Sequence, residues 1–482
     1  MKSKHQALHP ATLYALLTVT VVLASWMGDV YGLSVELPSG GEPLPVQSLI
    51  SAEGLRWWLR HVVSNVTGFA PLGMVLIALL GVGLAVHSGF LAATLRRWSG
   101  GRRGVRRAVV GVVVVGLLSN VVGDAGYVLL LPLAAWWFRA VGLHPVAGLV
   151  AGFVSVACGY SANLFLSTAD PLLARTTQEA VLAAGVSAAP VGALSNLFFM
   201  AASVGVLAVV LSGCVIRLAS RMAPFESSVP AELERPLSRR EWRAWVAAAA
   251  VGLFFIAVVA VATFSPWGVL RGVTGGMMRS PFISGALFLM SAALGLMSIV
   301  YAFTLGRYRS ERDVVAGLSH ALALLPTYVS IVFFAAQFFA CLSYSRLDQW
   351  VVIGLSGLVP AAADGVGGLL CVVGVSALLN CFCVSSTAKW ALLAPVFVPA
   401  LSAGGLSPDW VQCAYRIGDS ATNALTPFSV YLPFALTLLL AYRPDAGYWC
   451  WLRLTFRCTL AAGLAWTALL VAWHWVGLPL GL

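Results

Sequence analysis

The sequence predicts an all-α polytopic membrane protein with two oppositely oriented re-entrant hairpins in an inverted repeat. Three observations lead there. Of 482 residues, 60% are hydrophobic and only 10% charged. Soluble domains carry about 25% charged residues, so most of this chain is built to sit in lipid or against other apolar helices. Apolar stretches of about 20 residues recur along the whole length. Finally, Gly123–Pro145 aligns without a gap on Ser386–Pro408, bringing Pro132 onto Pro395, Gly142 onto Gly405 and Pro145 onto Pro408.

The spanning candidates are residues 8–28, 68–94, 108–122, 145–168, 180–213, 244–264, 280–305, 316–344, 366–385, 427–442 and 452–477. The chain starts Met1-Lys2-Ser-Lys4 and is then apolar to Trp26, with no small-x-small cleavage site after it. That pattern predicts a retained first helix with its N-terminus in the cytoplasm. Residues 51–64, with Leu55, Trp57, Trp58, Leu59 and Val62, read as an amphipathic helix in the interface plane. The elements 123–142 and 386–405 are interrupted by Pro132 and by Pro395 and Pro399. Both are read as re-entrant hairpins, since irregular backbone at membrane depth is tolerated only where protein or a wet cavity satisfies it. Residues 1–213 form an N-terminal half, 214–243 a basic cytoplasmic linker, and 244–482 a C-terminal half.

Orientation follows from arginine. Arg96, Arg97, Arg102, Arg103, Arg106 and Arg107 fill one loop. Arg217, Arg221, Arg235, Arg239, Arg240 and Arg243 fill a second, and Arg307, Arg309 and Arg312 a third. With all three inside, 108–122 leaves from the cytoplasm and 366–385 starts outside. The two copies then enter from opposite faces, provided 345–365 does not cross, as Pro360 and Asp364 argue. Near each copy stand X-Pro steps: His144-Pro145, Asp170-Pro171, Ser407-Pro408 and Thr426-Pro427. Proline suits the first helical position, and Asp, Ser or Thr before it caps. A helix opened in mid-membrane offers its free N–H groups to an anion.

A twice-used, Pro/Gly-broken apolar element points to a secondary transporter. The chain has no soluble basic domain for nucleic acid. It has no Gly-x-x-x-x-Gly-Lys-Ser/Thr loop for a primary pump. It lacks His-Glu-x-x-His and Gly-x-Ser-x-Gly, which leaves Ser385 or Ser386 with Lys389 as the one conceivable enzymatic dyad. A channel differs only in gating. Nine cysteines lie mostly in apolar segments, and Cys381-x-Cys383 has no second pair, so they read as core residues.

Charged residues at membrane depth mark a substrate or ion path. Arg416 either holds a substrate carboxylate or pairs internally with Asp419 or Asp170. Lys389, the one lysine beyond the N-terminal tail, is paired or neutral if buried, or snorkels to water. Asp419, Asn423 and Asn380 offer hard oxygens suited to sodium, or simply bond between helices. Ser161 and Asn163 are the first-copy counterparts. Asp170 is a proton carrier or an N-cap. Asp124 is a weaker candidate, and His87 and His144 read as capping or hydrogen-bonding residues.

Several stretches resemble the aminobenzoyl-glutamate transporter (AbgT) family. They are Thr67-Gly-Phe-Ala-Pro-Leu-Gly73, Asp124-Ala-Gly-Tyr-Val128, Gly159-Tyr-Ser-Ala-Asn163, Ala169-Asp-Pro-Leu-Leu-Ala174, Ala388-Lys-Trp-Ala-Leu-Leu-Ala-Pro395 and Ala414-Tyr-Arg-Ile-Gly-Asp-Ser420. The resemblance implies an inner-membrane homodimer, each subunit with nine or so spanning helices and two opposing hairpins. It implies ion-gradient-driven transport of p-aminobenzoyl-glutamate, an aromatic amide carrying carboxylates, or export of sulfonamide antimetabolites. Another organic anion or a short-chain carboxylate is the alternative substrate. By motif, Asp170, Trp390, Pro408 and Arg416 match positions tied to transport, with Trp390 placed to stack on an aromatic ring. Asn380, Asp419 and Asn423 match the family's sodium site, sodium being the one bound ion expected and no other cofactor. Two departures bear on substrate identity. Leu197-Phe-Phe-Met200 stands where the family usually has a Trp-Tyr pair, and Ser385-Ser386-Thr387 precedes Ala-Lys-Trp.

Overall fold

The computed structural model describes residues 7–36, 40, 42–98, 101–186, 190–223, 236–272, 280–360, 365–383 and 385–482. The centre of the linker with Arg235, Asp364, and the tail residues Met1, Lys2 and Lys4 lie outside the described residues. The chain is helical nearly throughout. In order the helices are α1 (Pro10–Val30), α2 (Ala52–Thr67), α3 (Ala70–His87), α4 (Phe90–Trp98), α5 (Gly101–Ser119), α6 (Ala125–Ala140) and α7 (Pro145–Cys158). Then come α8 (Asp170–Ala183), α9 (Leu197–Arg221), α10 (Arg239–Phe264), α11 (Ala286–Leu305), α12 (Glu311–Ala321) and α13 (Leu325–Ser345). The last are α14 (Leu347–Ser356), α15 (Gly365–Leu379), α16 (Ser386–Ser402), α17 (Pro408–Ala421), α18 (Leu432–Tyr442) and α19 (Tyr448–Val476). One two-residue antiparallel pair, Ser34–Val35 with Leu44–Pro45, closes the loop after α1.

Seven helical runs among the described residues are long and apolar enough to cross a bilayer: α1, α2–α3, α9, α10, α11, α12–α13 and α19. The expected spans 145–168, 366–385 and 427–442 are not among these seven runs. They hold helices of 14, 15 and 11 residues. At 1.5 Å per residue the longest covers about 23 Å, short of a ~30 Å hydrocarbon core.

The repeat is preserved in three dimensions. At the constant offset of the sequence alignment, α7 falls on α17 end to end, 14 residues each. Left-handed Gly142 (φ 78°) falls on left-handed Gly405 (φ 84°). Each glycine closes the same Schellman turn. Leu143 N donates to Phe138 O and Gly142 N to Arg139 O, as Leu406 N does to Leu401 O and Gly405 N to Ser402 O. Glycine is needed there because the position is left-handed. Proline then starts the next helix, its missing N–H being one that would have no partner anyway.

The hairpins are not where the prolines place them. Residues 123–142 do not fold back on themselves. They hold one continuous helix, α6, with Pro132 inside it, and α16 likewise contains Pro395 and Pro399. Proline removes a hydrogen bond within such a helix, and burial among neighbouring helices keeps the helix intact. The chain reverses at both ends of α6. Gly126 sits beside Ser119, Gly116 beside Leu130 and Gly111 beside Trp137, so α5 and α6 run antiparallel around 120–124. Gly152 packs on Leu131 and Gly148 on Ala134 and Phe138, so α6 and α7 run antiparallel around 141–144. Each copy therefore reads helix, reversal, helix, turn, helix, break, helix. The breaks are 159–169 before α8 and 422–431 before α18.

Two of the four X-Pro expectations need correction. His144 caps α7, its Nδ1 accepting from Val146 N at 3.1 Å, and Ser407 is the N-cap residue of α17. Asp170 is instead the first residue of α8, after Ala169 at the cap. Thr426-Pro427 opens no helix, because α18 starts only at Leu432. The basic loops do gather. Arg96 pairs with Glu241 at 3.0 Å, tying the first loop to the helix after the linker, and Arg307 donates to Ser88 O at 3.1 Å. Helix α2 docks on α13, with Trp57 stacked on Tyr344 at 4.1 Å and Trp58 donating to Gln337. Segment 345–365 supplies α14, which at 10 residues is too short to cross alone.

Two expectations follow. A Cβ at Gly418 would lie 2.7 Å from Ser376 Cβ and still closer to the Val373 carbonyl. Gly418→Ala therefore costs about 1–3 kcal/mol, read as a lowered melting temperature in detergent. Gly213→Ala, with open space around it, serves as the neutral control. Single cysteines at Leu143 and Ala403 in a cysteine-free background label from opposite faces of the membrane. Labelling from one face would end the inverted-repeat reading.

Candidate functional site

Helix α17 carries Gln412, Arg416, Asp419 and Ser420 on one stripe, at i, i+4, i+7 and i+8. That spacing puts them on one face of a helix, and every one is buried. Such a face survives inside the protein only if each group is answered. α7, α8, α15 and α16 surround α17 and supply most of the answers.

Lys389 and Asp419 meet at 2.7 Å, with side chains 0% and 1% exposed. The same ammonium donates to Asn380 Oδ1 at 2.7 Å and to the Cys383 carbonyl at 2.9 Å. Two of its protons are thereby placed in hydrogen bonds, and the Asp419 carboxylate beside it balances the charge. Snorkelling is excluded, and no Ser–Lys dyad forms. The Ser386 hydroxyl has no partner among the described residues. Asn380 in turn donates to Asn423 Oδ1 at 2.9 Å and Thr422 Oγ1 at 3.1 Å, and Asn423 donates to Ala157 O across to the first copy.

The sequence singled out Asn380, Asp419 and Asn423 for sodium, and the structure does bring them together. The cation they surround is the ammonium of Lys389. Asn380 Oδ1 and Asp419 Oδ1 are engaged by it, and Asn423 Oδ1 by an amide. In this arrangement the residues do not fit a sodium ion at those oxygens.

Arg416 pairs with Asp170, not with Asp419, at 2.5 Å from Nη2 to Oδ1. The same Nη2 donates to Ser161 O at 3.2 Å. Asp170 Oδ1 accepts no hydrogen bond among the described residues, so the contact is ionic. The other Asp170 oxygen accepts from Ser167 N at 2.5 Å. Ser161 thus takes part through its backbone, and its N–H donates to Ser420 Oγ. Asn163 holds the Tyr160 carbonyl weakly at 3.4 Å. Asn163 Oδ1, Arg416 Nε and Asp419 Oδ2 are buried without a hydrogen-bond partner among the described residues.

Trp390 is wholly buried. Its face stacks on Tyr415 at 4.3 Å, and its Nε1 donates to Thr177 at 2.9 Å. Thr177 meets Gln412 at 2.5 Å, and Gln412 donates to Asn196. The ring face expected to meet a substrate is therefore occupied by Tyr415 in this conformation. Pro408 lies apart, lining a cavity of about 350 Å³ with Asp409 and the C-terminal residues 478–482.

A second cavity, of about 260 Å³, lies where the two copies converge. The first reversal contributes Asp124 and Tyr127, and the first break Tyr160. The second reversal contributes Ser385, Ser386 and Thr387, and the second break Asn423 and Ser429–Tyr431. The N-terminal ends of α6 and α16 both open here, and neither cap side chain bonds its own helix. Sequence reasoning missed Tyr127, Tyr160 and Tyr431, because a tyrosine in an apolar run reads as core. Gln412 was within reach, four residues before Arg416 on the same helical face.

The pairing carries a test. Removing one partner of a buried ion pair costs about 3–5 kcal/mol, largely by stranding the other charge. Arg416→Ala should lower the melting temperature, and Asp170→Ala in that background should restore part of the loss. Asp419→Ala in the same background should restore none. Rescue by Asp419→Ala alone would reverse the assignment.

The comparisons agree with this architecture. The model of the family described as "AbgT putative transporter family" matches residues 4–482. The p-aminobenzoyl-glutamate transport protein of Escherichia coli (strain K12) is 32% identical over 479 residues, 98% of this chain and 93% of its own length. The crystal structure of the Alcanivorax borkumensis YdaH transporter, described as having an unusual topology, superposes with a TM-score of 0.53 at 32% identity, covering 98% of this chain and all of that one. Neisseria gonorrhoeae MtrF, described among antimetabolite efflux pumps, gives 0.52 at 34% identity, covering 98% and 96%. The chain belongs to the AbgT family of membrane transporters.

Proposed function

We propose that this protein is an ion-gradient-driven secondary transporter in the inner membrane, N-terminus in the cytoplasm, for p-aminobenzoyl-glutamate or a related aromatic amide bearing carboxylates. The observation that carries the reading is the cavity at the convergence of two reversals and two helix breaks. Discontinuous helices whose N-termini face a central site are the recurring solution for anionic substrates. The free N–H groups of α6 and α16 offer that field, and Ser385, Ser386 and Thr387 add hydroxyl donors beside them. Tyr127, stacked on Tyr431 at 4.7 Å, and Tyr160 supply aromatic walls for a ring. Export of antimetabolites is the second mode, supported by the likeness to MtrF.

Arg416 and Asp170 lie behind the cavity rather than in it. For Arg416 to reach a substrate carboxylate, the Asp170 pair must open. Protonation of Asp170 is the simplest way to open it and favours a proton as the coupling ion. Sodium at Asp419 requires Lys389 to withdraw or lose its charge. The homodimer rests on the family resemblance, and light scattering of the purified protein tests it.

Purified protein in proteoliposomes decides these points. Labelled p-aminobenzoyl-glutamate should accumulate under a proton gradient with no sodium present. Accumulation under a sodium gradient alone would overturn the proton reading. Thr387→Glu, adding a negative charge at the start of α16, should weaken transport of p-aminobenzoyl-glutamate about tenfold or more, a change of about 1.4 kcal/mol. Its bis-amide, with both carboxylates neutralised, should be affected much less. Equal loss for both compounds would remove the cavity as the carboxylate site.

A further inference from the structure

A cavity of about 730 Å³ opens between the C-terminal end of α9 and the first third of α19, away from the site described above. Four arginines line it: Arg217 and Arg221 from α9, Arg453 and Arg457 from α19. Each pair is spaced i, i+4, so each presents both guanidinium groups from one face of its helix. All four are exposed, and none forms an ion pair with a carboxylate among the described residues. Apolar side chains, Leu218 and Phe456 among them, complete the wall. Phe456 is itself 48% exposed.

These features fit together at a membrane surface. Helix α19 has 29 residues, about 43 Å, which exceeds the ~30 Å hydrocarbon core. Its first turns therefore stand at headgroup level, where exposed Trp449 is a suitable interfacial anchor. The basic linker that follows α9 assigns this end to the cytoplasmic leaflet, the one rich in anionic lipid. Four like charges around one apolar space repel one another unless an anion joins them. A soluble anion would leave the apolar wall facing water. A lipid phosphate satisfies both parts. Its oxygens match the arginine fork, and its acyl chains continue down the apolar wall.

We propose that this cavity binds the phosphate headgroup of an anionic phospholipid, with an acyl chain against Leu218 and Phe456. The test uses the full-length protein in a mild detergent, with phosphatidylglycerol, phosphatidylcholine or inorganic phosphate added. Binding is counted by native mass spectrometry, and stability by thermal melting. Phosphatidylglycerol should stay bound and raise the melting temperature, while phosphatidylcholine binds at least tenfold more weakly. Inorganic phosphate alone should have no effect. Each arginine near an anionic surface contributes about fivefold, so Arg217→Gln/Arg457→Gln should weaken phosphatidylglycerol by an order of magnitude or more. The single variants Arg221→Gln and Arg453→Gln carry the same test should the double variant fail to fold. Equal binding of both lipids, protection by phosphate alone, or unchanged affinity in the single variants would overturn the proposal. So would a change in oligomeric state showing that a second subunit covers these arginines.

Discussion

The arrangement depends on one constraint: charges buried on α17 and α16 must be neutralised where no water reaches them. Unpaired, each would cost several kcal/mol. Asp419 is met by Lys389 from α16, and Arg416 by Asp170 from α8. The second contact joins the C-terminal repeat to the N-terminal one. The Schellman turns, the parallel packing of α17 along α15 through Gly418, and the close approach of the two breaks all serve to bring these partners within reach. A buried ion pair of this kind is weak evidence for stability, since an apolar pair of the same shape does as well or better.

The broken helices meet beside the Arg416–Asp170 pair. At 159–169 and 422–431 the backbone leaves helical hydrogen bonding, and its polar groups turn to side chains. Ser161 N finds Ser420 Oγ, Ser161 O finds Arg416, and Ala157 O finds Asn423. This backbone is satisfied by side chains from the opposite repeat rather than by its own helix, as irregular backbone at membrane depth requires. Buried polar atoms at this junction lack a hydrogen-bond partner among the described residues, Asn163 Oδ1, Asp170 Oδ1, Ser386 Oγ, Arg416 Nε and Asp419 Oδ2 among them. Native interiors rarely leave such atoms unanswered. Several of them stand together where the two repeats meet.

Local chemistry was legible in the sequence, and tertiary choice was not. Gly142-x-x-Pro145 and Gly405-x-x-Pro408 were visible as matching elements because a left-handed glycine and a helix-opening proline act within a few residues of themselves. Arginine-rich loops were visible for the same reason. The fold-back point was misplaced because Pro132 looked like a breaker. A proline in a buried helix removes one hydrogen bond and leaves the rest. The true reversal at 120–124 is marked only by Gly123, left-handed at φ 67°. The partner of Arg416 was one of two candidates on sequence grounds. Asp419 shares its helix three residues away, and only the approach of α16 shows that Lys389 claims it. The cavity tyrosines were invisible, since aromatic residues in apolar runs carry no signal separating a wall from a core.

The repeat itself shows how the labour is divided. At the constant offset, Arg416 stands opposite Phe153, Asp419 opposite Val156, Lys389 opposite Gly126 and Asn380 opposite Leu117. The backbone was copied and the charges were not. Where the second copy ties its reversal with the Lys389 ammonium, the first uses a neutral amide. Asn120 Nδ2 donates toward the carbonyls of Val156 and Gly159 at 3.1 and 3.2 Å. An amide and an ammonium can hold the same kind of carbonyl cage, but only the ammonium depends on a carboxylate to balance it. Among the described residues, the first copy meets α17 with the Asp170 carboxylate. The second carries Lys389, Arg416 and Asp419. Of the four charges in these two buried pairs, three stand on the second copy and one, Asp170, on the first, so one backbone pattern carries two different loads of charge.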